Sequence, residues 1–191
     1  MPEATRLVTA KELERFPSDD RRYELLEGRL VAMTPVSYAH SRTVMRFGSM
    51  LERYTREHNL GDVHAELGVI LKTNPDTVFA PDIAFIKRER VPATTPRGFW
   101  KGAADLAVEV LSPNDRPAEI RNKVAEYLRR GTPLVLVIDP EKRLITKWPP
   151  SSSPVTLKEG DGLDLSEIIE GFSCDVRAIF DRPSLQTSNQ N

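Results

Sequence analysis

Between Ser37 and His58 the apolar residues Val44, Phe47, Leu51 and Tyr54 recur at helical spacing, with Gly61 just beyond as a stop signal, which predicts one long amphipathic helix. The pattern then changes period. Val63, Ala65, Leu67, Val69 and Leu71 alternate with other residues and predict a strand over 63–71. Two further strands are expected from Ala80 to Ile86 and from Asp105 to Leu111. Pro117 and Glu119 suit the first turn of a second helix, whose stripe is Ile120, Val124, Tyr127 and Leu128 and whose stop is Gly131. Leu134 to Ile138 is wholly apolar and ends at Asp139-Pro140, as a strand buried on both faces does. A helix between two such strands is a βαβ unit with a right-handed crossover as the expectation.

Shorter signals fill the gaps. Thr9, with Glu12 three residues on, predicts a capped short helix over 9–15. Tyr23 to Met33 reads as a hairpin around Glu27-Gly28, and Leu144 to Trp148 as an outer hairpin strand. Residues 87–102 form a charged loop rich in Pro and Gly, residues 149–154 a Pro/Ser turn or linker, and residues 183–191 a flexible polar tail. With 191 residues, the economical organisation is a single α/β domain over 1–182 followed by that tail.

Composition narrows the function classes. The chain carries 27 Lys+Arg against 28 Asp+Glu, a net charge of −1, so it offers no broad cationic field to a polyanion. Local basic clusters do occur, such as Lys87, Arg88 and Arg90, or Arg116, Arg121 and Lys123, each readable as a groove or as solvated surface. No apolar run long enough to span a membrane is present, and residues 1–15 lack a secretory stretch. The lone Cys174 excludes an intramolecular disulfide and a zinc knuckle and fits a reducing cytoplasm. His40, His58 and His64 form no HExxH pattern, which sets a zinc hydrolase aside.

Two acids stand out against the apolar pattern. Alternation in the strand over 105–111 sets Glu109 on the face of Asp105, Ala107 and Leu111, opposite Leu106, Val108 and Val110. A carboxylate in mid-strand must be paired, protonated or metal-bound, because burying it alone is very costly. Asp82, directly after Pro81, is a second anomaly of this kind. At a separation of roughly 4 Å, two such carboxylates would repel by about 4 kcal/mol at an effective dielectric near 20. A cation relieves that repulsion, and oxygen-only ligation favours Mg²⁺ or Mn²⁺. Lys123 lies on the buried stripe of the next helix, aimed at the sheet, either to act on an attacking water or phosphate or simply to pair with Glu109.

These residues occur in an order that resembles a known family. Pro81-Asp82, Val108-Glu109-Val110-Leu111-Ser112-Pro113, Lys123 with Tyr127 and Gly131, and Ile138-Asp139-Pro140 are similar to the Uma-type endonucleases expanded in cyanobacteria, within the PD-(D/E)XK superfamily. Tyr23-Glu24-Leu25, His40 and Gly171-Phe172 extend the resemblance over about 23–180. It implies a restriction-endonuclease-like core, a mixed central sheet flanked by helices with an N-terminal hairpin. It also implies Mg²⁺ (or Mn²⁺) held by Asp82 and Glu109, and hydrolysis of phosphodiester bonds in nucleic acid, DNA above all. The superfamily's usual Lys position, two residues after the second acid, is Leu111, and Lys123 matches the migrated position of the resembling family. The chain departs from it at Gly131-Thr132-Pro133-Leu134-Val135-Leu136, where relatives carry Gly-Val-x-Glu-Tyr-Trp.

Three residues remain as auxiliaries. Glu24 matches as an auxiliary acid or is an exposed hairpin residue; His40, inward-facing at the helix start, is structural or touches substrate; Glu66 is a further metal-shell acid or a plain strand residue. Asp105, at its strand's start, is expected to be solvent-exposed, and Asp139 to terminate its strand. The competing function is a catalytically silent nucleic-acid-binding or protein-interaction module on the same fold. Cutting both strands of a duplex would call for a homodimer.

Overall fold

A computed structural model of the chain describes residues 6–16 and 22–181. The expected tail at 183–191 lies outside the described residues. Four helices and thirteen strands follow one another as α1 (Ala10–Leu13), β1 (Tyr23–Leu26), β2 (Arg29–Ala32), α2 (Tyr38–Glu57), β3 (Gly61–Ala65), β4 (Val69–Lys72), β5 (Thr77–Phe79), β6 (Ile83–Lys87), β7 (Trp100–Lys101), β8 (Leu106–Val110), α3 (Pro117–Arg129), β9 (Val135–Asp139), β10 (Leu144–Trp148), β11 (Val155–Leu157), β12 (Gly162–Asp164), β13 (Ser173–Asp175) and α4 (Val176–Phe180). No helix among the described residues is long and apolar enough to cross a membrane.

Local chemistry explains the main elements. The Thr9 side chain accepts from Glu12 N–H while the Glu12 carboxylate reaches back to the Thr9 N–H, so α1 starts in a capping box. Strands β1 and β2 pair around Glu27 and Gly28, both at positive φ, the backbone that a two-residue hairpin turn of matching twist requires. Ser37 caps α2. Pro117 occupies the start of α3, where its missing N–H is harmless, and Gly131 at φ 98° follows its end.

A six-stranded sheet in the order β11-β10-β9-β8-β6-β3 forms the centre, mixed because β8 and β9 run parallel while their neighbours pair antiparallel. On one face Phe47 and Leu51 of α2 pack with Ile83, Phe85, Leu106 and Val108. On the other, Val124 and Tyr127 of α3 pack with Ala107, Val135 and Val137, and the same cluster takes in Val69 and Phe79. Those last two belong to a five-stranded sheet, β2-β1-β5-β4-β7, so α3 closes the junction of the two sheets.

Three expectations are corrected. The strand predicted over 63–71 is two strands in different sheets, broken where Glu66 adopts φ 52° and Gly68 lies beneath the Phe99 ring. The strand predicted from Ala80 begins only at Ile83, after a separate strand β5 and the Pro81-Asp82 bend. Asp105 is buried, accepting the Lys87 N–H at 2.9 Å and pairing with Arg90 at 2.8 Å. The 149–154 segment, expected as a turn or linker, is the turn of a hairpin, since β11 pairs with β10.

Candidate active site

Strand β8 is buried along its whole length, so every side chain on it must find a partner on one of the two faces. Leu106, Val108 and Val110 go to the α2 side and Ala107 to the α3 side, which carries Glu109 to α3 as the alternation requires. The antiparallel register of β6 and β8 pairs Ile83 with Val108 and so brings the Pro81-Asp82 bend alongside Glu109 and Val110. Asp82 is anchored there: its Oδ2 accepts the Val110 N–H at 2.7 Å and lies 3.2 Å from His40 Nε2. His40 sits in the first turn of α2, where its own N–H donates to the Ser37 cap at 3.2 Å.

From the opposite side α3 delivers two donors to one carboxylate. Lys123 Nζ is 2.9 Å from Glu109 Oε1 and 3.0 Å from Oε2, and the Tyr127 hydroxyl donates to Glu109 Oε1 at 2.8 Å. Lys123 also lies 2.9 Å from Oε1 of Glu24, which reaches in from β1 and accepts the Ala80 N–H at 2.7 Å. Asp82, Glu109, Glu24, Lys123 and His40 are therefore brought together at the seam between the sheets. Glu66 is not: it stands exposed on the bend between β3 and β4 and pairs with Arg22.

The charge balance of this group governs its protonation. The group holds three buried carboxylates and one ammonium, which pairs with two of them, Glu24 and Glu109. Burial raises the Glu109 carboxyl to about 7, and Asp82 and Glu24 add to this, against the opposing pull of Lys123. Burial alone would lower the Lys123 ammonium, but Glu109 and then Glu24 outweigh it, so the ammonium is held above its ordinary range. Burial likewise acts to lower His40, yet the bond to Asp82 and the charges of Asp82, Asp115 and Glu109 leave it raised. Tyr127 is pushed up by burial and by Glu109, which keeps it a hydroxyl donor. With its carboxylates ionised the group carries two negative charges beyond what Lys123 neutralises.

The carboxylates of this group suit a hard divalent cation, which takes oxygen ligands. Among the described residues no three His, Cys, Asp or Glu side chains are spaced to enclose a metal by themselves. The arrangement accordingly does not fit a closed structural site; an ion held here would keep part of its water shell.

Tyr127 escaped the sequence reading, which placed it in the apolar stripe of α3. Its hydroxyl, on the same helix side as Lys123 and four residues later, was the available signal. His40 Nδ1 is a buried nitrogen without a hydrogen-bond partner among the described residues.

Comparison with known proteins adds the following. A family model described as "Uma2: Putative restriction endonuclease" matches residues 10–177. A solved structure described as a putative nuclease belonging to DUF820, from Anabaena variabilis, is similar with a TM-score of 0.79 and 18% identity, over 91% of this chain and 97% of that one. That likeness establishes the fold. A search of curated proteins gives no match.

Proposed function

This chain belongs to the Uma2 family, and we propose from that premise that it is a metal-dependent endonuclease of DNA, with Asp82, Glu109 and Lys123 as its catalytic residues. The observation that carries the reading is a cluster of three buried carboxylates at the sheet junction, Glu24 and Glu109 on the Lys123 ammonium and Asp82 beside His40. Structural ion pairs have no need of such a surplus of negative charge, whereas a cation-binding phosphodiesterase does.

In this reading Asp82 and Glu109 hold the ion, Mg²⁺ or Mn²⁺. When bound, the ion supplies Lewis-acid polarisation of the phosphoryl oxygens. The protein's own residues do the rest. The Val110 N–H and His40 fix Asp82 through Oδ2, which leaves Oδ1 free toward the ion. Tyr127 fixes Glu109 through Oε1, and Lys123 reaches both of its oxygens. Lys123, held between Glu24 and Glu109, presents a charged donor to orient the attacking water or to stabilise the negative charge that builds on the phosphate.

The test is incubation of purified protein with single- and double-stranded DNA and RNA in Mg²⁺ or Mn²⁺, beside EDTA and Asp82→Asn. Cleavage of DNA that disappears in both controls is the expected result. Cleavage that survives EDTA, or an Asp82→Asn protein as fast as the parent, overturns the assignment.

A further inference from the structure

Next to the carboxylate cluster, and sharing Glu24 and Ala80 with it, is a recess of about 190 Å³ that the chemistry above leaves unused. It is smaller than the roughly 300–1,000 Å³ of sites for drug-sized ligands, a scale suited to a single planar ring system. Three of its ten lining residues are aromatic, Tyr23, Phe79 and Phe99. Gly68 supplies bare backbone, and a Cβ there would fall 2.2 Å from Phe99 Cδ1, so the Phe99 ring rests directly on that glycine. The backbone that carries the ring is tied to α1's end, since the Phe99 N–H donates to Glu14 Oε1 at 2.8 Å. The wall shared with the cluster is polar. Ala80 and Lys123 both bond Glu24 through Oε1, which leaves Oε2 to accept from an exocyclic amino group. Arg22, ion-paired with Glu66, lines the recess as well and brings a cation within reach of a flanking phosphate.

An aromatic slot with one acceptor, adjoining a phosphodiester-cleaving site, has the chemistry that recognises a nucleobase. A base still paired and stacked in a duplex cannot enter it. We infer that the recess receives one unstacked base of the substrate, so that the protein acts on single-stranded or locally opened DNA in preference to intact duplex. The inference rests on the proposed nuclease reading and deepens it.

The experiment is fluorescence anisotropy with labelled oligonucleotides in Ca²⁺, comparing a single strand, the same strand with one abasic position moved along it, and the duplex. Cleavage of the same substrates in Mg²⁺ is scored separately. The parent should bind the single strand about tenfold tighter than the duplex, and an abasic site at one position should remove about that factor. Phe99→Ala should weaken single-strand binding to the same degree and make it indifferent to the abasic site. Phe99→Leu keeps the apolar packing but lacks the flat ring, and should behave likewise while folding normally by circular dichroism. Equal affinity for strand and duplex, or a folded Phe99→Leu protein that binds as the parent does, overturns the inference. Cleavage without strand preference overturns it and leaves the nuclease reading standing. A preference that Phe99→Leu abolishes, with no cleavage of any substrate, supports the recess and overturns the nuclease reading.

Discussion

Replacing Lys123 by Met removes the ammonium that contacts the buried Glu24 and Glu109 carboxylates while keeping a side chain of similar length over the Phe79 ring, 5.5 Å from the ammonium. The magnitude follows from burial. The Lys123 side chain is 16% exposed, that of Glu24 9% and that of Glu109 8%, so water cannot take over the lost ion pair. Breaking a buried pair by deleting one partner costs about 3–5 kcal/mol. The two pairs share one ammonium, so their losses are not summed. The penalty should depend on pH, because without the ammonium that holds its pKa down Glu109 takes up a proton more readily, and more fully at pH 6 than at pH 8, so that part of the loss is recovered at the lower pH. The assay is urea unfolding of parent and variant in EDTA at pH 8 and pH 6, read by circular dichroism. A loss below about 1 kcal/mol at pH 8 would refute the reasoning, since it would mean that Lys123 does not compensate buried charge. The same measurement decides how an inactive Lys123 variant is to be interpreted, because loss of fold and loss of chemistry then have separate readouts.

Other outcomes follow from the same geometry. Glu109 has an ordinary value of 4.5 and is raised to about 7 in the fold, so its contribution to stability is fully present below about pH 4.5 and is lost as pH rises through about 7. In EDTA the parent should lose about 2 kcal/mol between pH 5.5 and 8 from this group, and Glu109→Gln should flatten the profile; identical slopes in the urea midpoints of the two proteins would dismiss the idea. Tyr127→Phe deletes a buried hydrogen bond to a carboxylate and should cost about 1.5–3 kcal/mol by the same unfolding assay, with an unchanged midpoint as the contrary result. Burial pushes the Cys174 thiol up to about 11 from 9.0. Its alkylation by iodoacetamide at pH 8 should therefore run about tenfold slower than that of free cysteine, lower thiolate content being partly offset by higher nucleophilicity, and 8 M urea should abolish the difference.

Much of this was legible in the residues because the elements that build the site are the regular ones. Helices α2 and α3 announce themselves through stripes and caps, and the strand around Glu109 through strict alternation, which fixes the face its carboxylate takes. The break at Glu66 to Gly68 was hidden because the alternation of 63–71 runs through it unbroken, while the chain changes sheet at a non-glycine residue with φ 52°. Burial of Asp105 was hidden for a related reason: its partners, the Lys87 N–H and Arg90, come from a different segment, and a single strand's pattern carries no information about them. Glu24 entered only through family resemblance, since its contact with Lys123 depends on how the five-stranded sheet sits against α3.

The central claim is that Glu109, with Asp82 and Lys123, does the cutting, and Glu109→Gln tests it most directly. The exchange preserves shape and removes a buried charge that is costly at pH 8, so the variant should stay folded to within about 1 kcal/mol of the parent. Single-turnover cleavage of labelled single-stranded DNA in Mg²⁺ at pH 8 should fall by about a thousandfold or more in the variant. A folded Glu109→Gln protein that cleaves at the parental rate would contradict the account.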